Sequence, residues 1–359
     1  MLLKLAVTFL VSFAELASAA YANPGACSGD CGTHDPAVIR RTSDGKFYRF
    51  STNNFISIAS ASSIAGPWTY LGQALPGGSK ISGFSGVDLW APDIIYNNGV
   101  YYLYYSVSSF GSQNSAIGVA TSSTMDPGSW VDRGATGVSS KTGSAYNAID
   151  SNIVKVGNDF YMAFGSFWGD IYQVKMDSGL LKTAGTSSYQ IAWTSFGNGA
   201  MEDCKSSGGT TILESHDYVY APGHGGVIDV PGVGSVLYYH YVNNNQGTNQ
   251  AATYFGWNVL DWPSDWPVIS TGTSTPTTTT KTTTSRAAQT TTTAAASGNC
   301  ASLYGQCGGQ GFTGASCCSS GTCEFYTLLE RDWIGFGKVR IRRNLVMGFV
   351  AQLLCLLVS

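Results

Sequence analysis

The sequence predicts an all-β fold, a β-propeller followed by a small disulfide-rich module, and three observations point there. A phrase made of a glycine turn, an aromatic strand and a second strand recurs along the chain. Charged residues are scarce, at 11%, against 44 Gly, 20 Tyr and 9 Trp. No long stretch carries the 3.6-residue apolar period of an amphipathic helix. The repeat decides the architecture, because its spacing of roughly 50 to 60 residues is close to the length of a four-stranded propeller blade.

Residues 1–20, "MLLKLAVTFLVSFAELASAA", combine an early lysine, an apolar run and an Ala17-Ser18-Ala19 pattern, the signature of a secretory signal peptide. The mature chain is expected to begin near Tyr21 and to be secreted and extracellular. An oxidising compartment favours pairing of the nine cysteines, and an odd count leaves at least one unpaired. Cys27 and Cys31, beside His34, have a spacing that zinc could use, but secretion favours a local disulfide or pairing elsewhere.

Residues 21–270 form the propeller domain. "DGKFYRFSTNNFISIASASSIAGPWTYLG" is followed by "NNGVYYLYYSVSSFGSQNSAIGVATSSTMDPGSWVDRG", each running from a glycine turn through two strands to Gly-x-Trp. Weaker copies begin at "VGNDFYMAF" and "VGSVLYYHYV", which makes four recognisable units. A β-sandwich is the rival, since it also has alternating strands, but it does not explain the recurring phrase. This segment holds 11 Lys or Arg against 18 Asp or Glu, a formal −7, which argues against a nucleic-acid partner. Aromatic faces with neutral hydrogen-bonding groups suit polyols, although most Tyr and Trp can equally fill a β core. A monomer is expected.

Residues 271–297 collapse to a Thr-rich, Pro-punctuated linker of the kind that carries O-glycans and buries no core. Residues 298–326 hold Cys300, Cys307, Cys317, Cys318 and Cys323, a density that reads as a small module stapled by disulfides, though five cannot all pair internally. The tail, 327–359, is basic and then apolar for about 16 residues, short of the ~20 that a membrane span needs. No membrane association is expected of the mature protein. The tail reads as translated non-coding sequence, with a glycolipid-anchor signal the poorer fit.

Three carboxylates stand out: Asp35 in "THDPAVIRR", Asp150 in "NAIDSNIV" and Glu202 in "GAMED". Asp35 and Asp150 lie beside strand starts, and a propeller brings the innermost strands of separate blades to one mouth. Glycoside hydrolysis needs such convergence, with one protonated acid for the leaving oxygen and one ionised carboxylate for water or the sugar carbon. A further carboxylate can keep the acid protonated. Taken singly, Asp35 is equally a turn residue, Asp150 a turn or cap, and Glu202 a solvated charge.

"YANPGACSGDCGTHDPAVIRR", "LWAPDI", "YSVSSFGSQNSAIGVATS", "NAIDSNIV", "FGSFWGDIYQV" and "GGTTILESH" together resemble the fungal endo-1,5-α-L-arabinanases of glycoside hydrolase family 43 over residues 21–270. The resemblance implies a five-bladed propeller that cuts internal linkages of plant arabinan with inversion. It implies Asp35 as general base, Glu202 as general acid and Asp150 as the residue that orients the acid and raises its pKa. An inverting pair is expected ~6.5 to 9.5 Å apart, leaving room for a water. Trp90 and Phe110 resemble residues that line the sugar cleft, where an aromatic face can stack on arabinose, although either could be core. Asn147 and Ser166 are further candidate substrate contacts. His224, in "APGHGG", falls where related enzymes place a histidine near a metal, usually calcium. That reading makes the ion structural and water-mediated, with no cofactor required for the chemistry, against a hydrogen-bonded structural histidine.

After Glu202 the pattern jumps to "DCKSSGGTT", omitting on the order of 40 to 50 residues, so one blade is expected to be truncated. A faulty gene prediction or a splice form would explain it. Likewise "LYGQCGGQGFTGASCCSSGTC" resembles the fungal family 1 cellulose-binding module. Tyr304 matches its first cellulose-contacting aromatic, but the closing phrase is replaced from about Tyr326. Beside endo-arabinanase stand two alternatives: an exo-acting arabinofuranosidase or xylosidase, and a catalytically impaired sugar-binding propeller.

Overall fold

The computed structural model describes residues 21–52, 55–84, 88–166, 168–192, 212–246, 253–263 and 267–270. All lie in the first of two compact units, and the second, Pro276–Arg342, falls outside the described residues. Also outside are the leader, Glu202, Tyr304, the linker, the cysteine-rich module and the tail.

The described residues form four antiparallel sheets, each a meander of four sequential strands. The first contains β1 (Ala37–Arg40), β2 (Phe47–Ser51), β3 (Ser57–Ala61) and β4 (Thr69–Gln73). The second contains β5 (Leu89–Asn97), β6 (Val100–Val107), β7 (Ser115–Ser122) and β8 (Val131–Ser140). The third contains β9 (Asn152–Val156), β10 (Asp159–Ser166), β11 (Asp170–Lys175) and β12 (Tyr189–Ala192). The last contains β13 (Val219–Val230), β14 (Gly234–Asn243), β15 (Thr253–Asp261) and β16 (Val268–Ile269). Each repeat's glycine turn joins the first strand of its sheet to the aromatic second strand. In β5–β6 that turn is Asn98-Gly99, with φ of 49° and 84°, the two-residue geometry whose twist matches the flanking strands.

The sandwich reading fails on the side-chain alternation. Successive residues of a strand point to opposite faces, and in β6 both faces are buried. Tyr105 packs with Phe50, Ile58 and Leu103 against the first sheet, whereas Tyr104 packs with Ile117, Met162 and Phe164 against the third. In β2, Tyr48 and Phe50 face the second sheet while Phe47 joins Val38, Trp68, Val236 and Phe255 against the last. Sheets stacked on both faces around neighbouring first strands, in the order β13, β1, β5, β9, make a propeller of four blades among the described residues.

Glycine lets tyrosine rings lie flat across neighbouring strands. Tyr105 lies directly opposite Gly118 on β7, where an added Cβ would sit 2.3 Å from the ring. The ring is fixed by hydrogen bonds with Asp132 and Ser79, so it has nowhere to go. Gly118→Ala is expected to cost about 1–3 kcal/mol, the usual range for overpacking, read as a lower midpoint in chemical denaturation.

The seam between the last and first blades is closed by the N-terminal segment, which runs antiparallel to β15. Gly25 donates to Trp257 O, Phe255 donates to Cys31 O, and Thr33 donates to Thr253 O. The Cys27–Cys31 disulfide ties this segment locally, in keeping with the expectation for a secreted chain. Arg49, buried from β2, donates to Asp30 O and Gly32 O and lies over the Trp68 ring at 4.9 Å. The third blade is different on the side turned away from the second. There Tyr161, Ala163 and Gln173 share a face with Tyr189, which is 67% exposed.

Candidate active site

The site is built at the entries of the innermost strands. In each of the four described blades a residue there adopts a left-handed backbone: Asp35 (φ 45°), Ala91 (47°), Asp150 (56°) and Ala221 (48°). Aspartate tolerates this region better than most residues, and alanine adopts it at a cost of about 1–2 kcal/mol. Strain of this kind persists only where the surroundings over-determine it.

For three of the four, the surroundings are side chains borrowed from the preceding blade, whereas Ala221 N–H donates to Ser215 Oγ just ahead of its own strand. Asp35 N–H donates to His240 Nδ1 on β14 at 2.9 Å. Ala91 N–H donates to Thr52 Oγ1 just past β2 at 2.7 Å. Asp150 N–H donates to Ser106 Oγ on β6 at 3.0 Å. The same logic stitches β5 to β9, since Asp93 Oδ2 accepts Ile153 N–H at 2.7 Å. Burial pushes the Asp93 carboxyl up to about 6 despite that bond.

Asp35 occupies the centre of this arrangement. Its Oδ2 accepts the Thr52 hydroxyl at 2.7 Å. Its Oδ1 faces three imidazoles, His240 Nδ1 at 3.4 Å and His34 Nε2 and His224 Nδ1 each at 3.7 Å. These exceed ordinary hydrogen-bond length, so Oδ1 is the oxygen that a water can approach. Burial raises the Asp35 pKa, but the imidazoles of His224, His34 and His240 and the Thr52 hydroxyl together outweigh it and hold the carboxyl below the usual range. The ionised form of Asp35 is thus favoured, the state that a general base requires. Burial drives His240 down to about 3, so its ring is neutral and accepts the Asp35 amide at Nδ1. The His34 ring stacks on it, centroids 4.5 Å apart.

Asp150 is shifted the opposite way, to about 8, by burial first and by the charge of Asp35 second. Through neutral pH it holds its proton and can orient a neighbour by donating a hydrogen bond rather than by charge. A folded pKa above the unfolded value means that the native state binds the extra proton between about pH 4 and 8. Stability from this group is therefore full at acid pH and falls as pH rises through that window. Asp150→Asn is expected to flatten the fall and to raise the melting temperature at pH 8 relative to wild type, with no gain at pH 4.

The other candidates separate cleanly. Phe110, on the β6–β7 loop, is 99% exposed, so the core alternative fails for it. Beside that loop lies a cleft of about 430 Å³ lined by Phe84, Ser108, Ser109, Ser112, Asn114 and Lys141. Trp90 immediately precedes Ala91, is half-buried, and donates its indole N–H to Asp88 at 2.6 Å. Asn147, expected to touch substrate, is instead 2% exposed. Its Oδ1 accepts the hydroxyls of Ser115 and Ser140, and its Nδ2 donates to Ser166 Oγ at 3.2 Å. It braces the wall, and of the pair only Ser166 keeps a partly exposed position. His224 is half-buried beside Asp35; burial lowers its pKa, and the Asp35 charge and a hydrogen bond to the Pro92 carbonyl oppose that only in part.

Sequence reasoning missed Thr52, Asp93 and His240. Three of the chain's four histidines gather at Asp35, and their scarcity was the one available signal.

Carboxylates from separate blades gathered at the inner mouth of a propeller are the arrangement that acid–base cleavage of a glycosidic bond requires. The profile of the glycosyl hydrolases family 43 matches residues 30–220, and that of the fungal cellulose binding domain matches residues 303–327. A probable arabinan endo-1,5-alpha-L-arabinosidase A of Aspergillus clavatus is 46% identical over 318 residues, covering 73% of this chain and 99% of the relative. The arabinan endo-1,5-alpha-L-arabinosidase A of Aspergillus aculeatus is 47% identical over 303 residues, covering 69% of this chain and 94% of the relative. Among solved structures, the endo-arabinanase from Bacillus licheniformis superposes with a TM-score of 0.56 at 27% identity, covering 68% of this chain and 99% of that one. The chain belongs to glycosyl hydrolases family 43. The first alignment engages 73% of 359 residues across 318 positions, so roughly 55 positions of that relative have no counterpart here, about one four-stranded blade.

Proposed function

We propose that the protein is a secreted endo-arabinanase that hydrolyses internal α-1,5-L-arabinofuranosyl linkages of plant arabinan with inversion. The observation that carries this reading is the 46–47% identity to arabinan endo-1,5-alpha-L-arabinosidases along nearly their whole length. Asp35 takes a proton from water at Oδ1 as the water oxygen bonds to the anomeric carbon. Glu202 donates its proton to the departing sugar oxygen, and the glycosidic bond breaks. Asp150 orients the acid, while Trp90, Phe110 and Ser166 border the substrate path.

No metal takes part in these steps. Calcium prefers oxygen ligands, whereas the donors around His224 are the imidazoles of His34 and His240 with one carboxylate, so a directly bound calcium does not fit. A hydrated structural ion beside His224 is the form the site admits. Cellulose is a second partner, through Tyr304 in the segment matching the cellulose-binding profile. The mature protein acts outside the cell as a monomer and takes neither nucleic acid nor membrane as a partner. The intact propeller of this family has five blades, and the fifth is the one cut short after Glu202.

The unmatched 55 or so positions favour a second reading, a propeller that binds sugar with impaired catalysis. Product analysis on linear arabinan distinguishes the readings. Mixed short oligomers support endo action, arabinose alone supports an exo enzyme, and binding without products supports the impaired propeller.

A further inference from the structure

We infer that Thr52 is a positioning residue for the base, its hydroxyl locking the Asp35 carboxylate in the orientation that offers Oδ1 to water. The inference rests on the assignment of Asp35 as base, and it follows from the polarity of two hydrogen bonds. Thr52 Oγ1 accepts the Ala91 N–H at 2.7 Å. A backbone amide can only donate, so the hydroxyl proton is left for the second partner, Asp35 Oδ2, also at 2.7 Å. An ionised carboxylate can only accept, so the direction is fixed at both ends. Thr52 is itself anchored, because its N–H donates to His34 O at 2.8 Å.

The consequence is a carboxylate with one committed and one available oxygen. Turning the Asp35 carboxylate part-way out of this plane would break the Thr52 bond and take the available oxygen away from its place before the three imidazoles. Thr52 also joins two blades, since Asp35 precedes β1 and Ala91 lies in β5.

Thr52→Val keeps the shape and removes the hydroxyl, and Thr52→Ser restores the hydroxyl while losing a methyl group. On linear arabinan the valine variant is expected to lose about 10- to 100-fold in kcat, as small misplacements of reacting groups do, with KM within about twofold. The serine variant returns to within about threefold of wild type. Azide, an anion that needs no base, should recover part of the lost turnover in the valine variant, a recovery that a merely structural defect would not show.

The orientation is also read without turnover. A crystal structure of Thr52→Val should show the Asp35 carboxylate rotated, and amide exchange at Ala91 should quicken, with both restored in Thr52→Ser. A wild type that makes no products counts against the proposed function alone and leaves these two readouts decisive. An unmoved carboxylate with unchanged kcat or exchange in Thr52→Val overturns the inference.

Discussion

Replacing Asp35 by asparagine lowers arabinan hydrolysis by about 10²- to 10⁴-fold, the range that a positioned general base contributes. Asparagine is the suitable replacement because it tolerates the left-handed backbone, φ 45°, that alanine would strain, and it can still accept the Thr52 hydroxyl. What it cannot do is take a proton from water. Oligosaccharide binding and the far-ultraviolet dichroism should persist, which separates lost chemistry from lost fold. The pH dependence of stability changes as well. The wild-type carboxyl lies below its unfolded value, so its contribution is present above about pH 4 and is lost as pH falls through the folded pKa. Asparagine removes that acid-side loss, the mirror image of the change expected for Asp150→Asn. Activity within tenfold of wild type would sink the assignment of Asp35.

Inserting the roughly 55 residues that the Aspergillus clavatus relative carries and this chain lacks, between Glu202 and Gly208, raises turnover by about 10²-fold or more. The reason is positional. A general acid must sit within hydrogen-bond reach of the leaving oxygen, and blades fix such distances only when packed on both sides. On the face of the third blade turned away from the second, Tyr189 is 67% exposed, and an inserted sheet would cover it. The insertion should therefore raise the melting temperature together with kcat. A folded, more stable insertion variant with no gain in turnover would place the defect elsewhere. Sequencing cDNA across the junction gives the genetic counterpart: an additional coding segment there supports a faulty gene prediction, and a continuous transcript refutes it.

The aromatic second strands were legible because period-two alternation and an Asn-Gly turn are local signals. The first strands were harder to read as part of the repeat. β1 is only four residues, "AVIR", and β13 runs through "APGHGG", whose glycines carry no alternation. Asp35 and Asp150 could be picked out because each stands beside a strand start in a chain with few charges. His240 could not, because it meets Asp35 across 205 residues and sits in "LYYHYV", where nothing local distinguishes it from a core position. Thr52 was hidden for a related reason, since its meaning depends on Ala91 of the next blade. Asn147 shows the converse. Its amide suggested a substrate contact, but at 2% exposed its hydroxyl partners are Ser115, Ser140 and Ser166 of the protein itself.

The N-terminal seam has a consequence in polymer terms. Joining Thr33 to Thr253 closes a loop of 220 residues. The entropy of closing a flexible loop grows only with the logarithm of its length, so about 55 residues more would add roughly 0.2 kcal/mol. The latch therefore hardly senses how much chain lies inside it. A ring with its full complement of sheets and one lacking a sheet can fasten with nearly equal ease, so a fastened seam says nothing about whether the ring within it is whole.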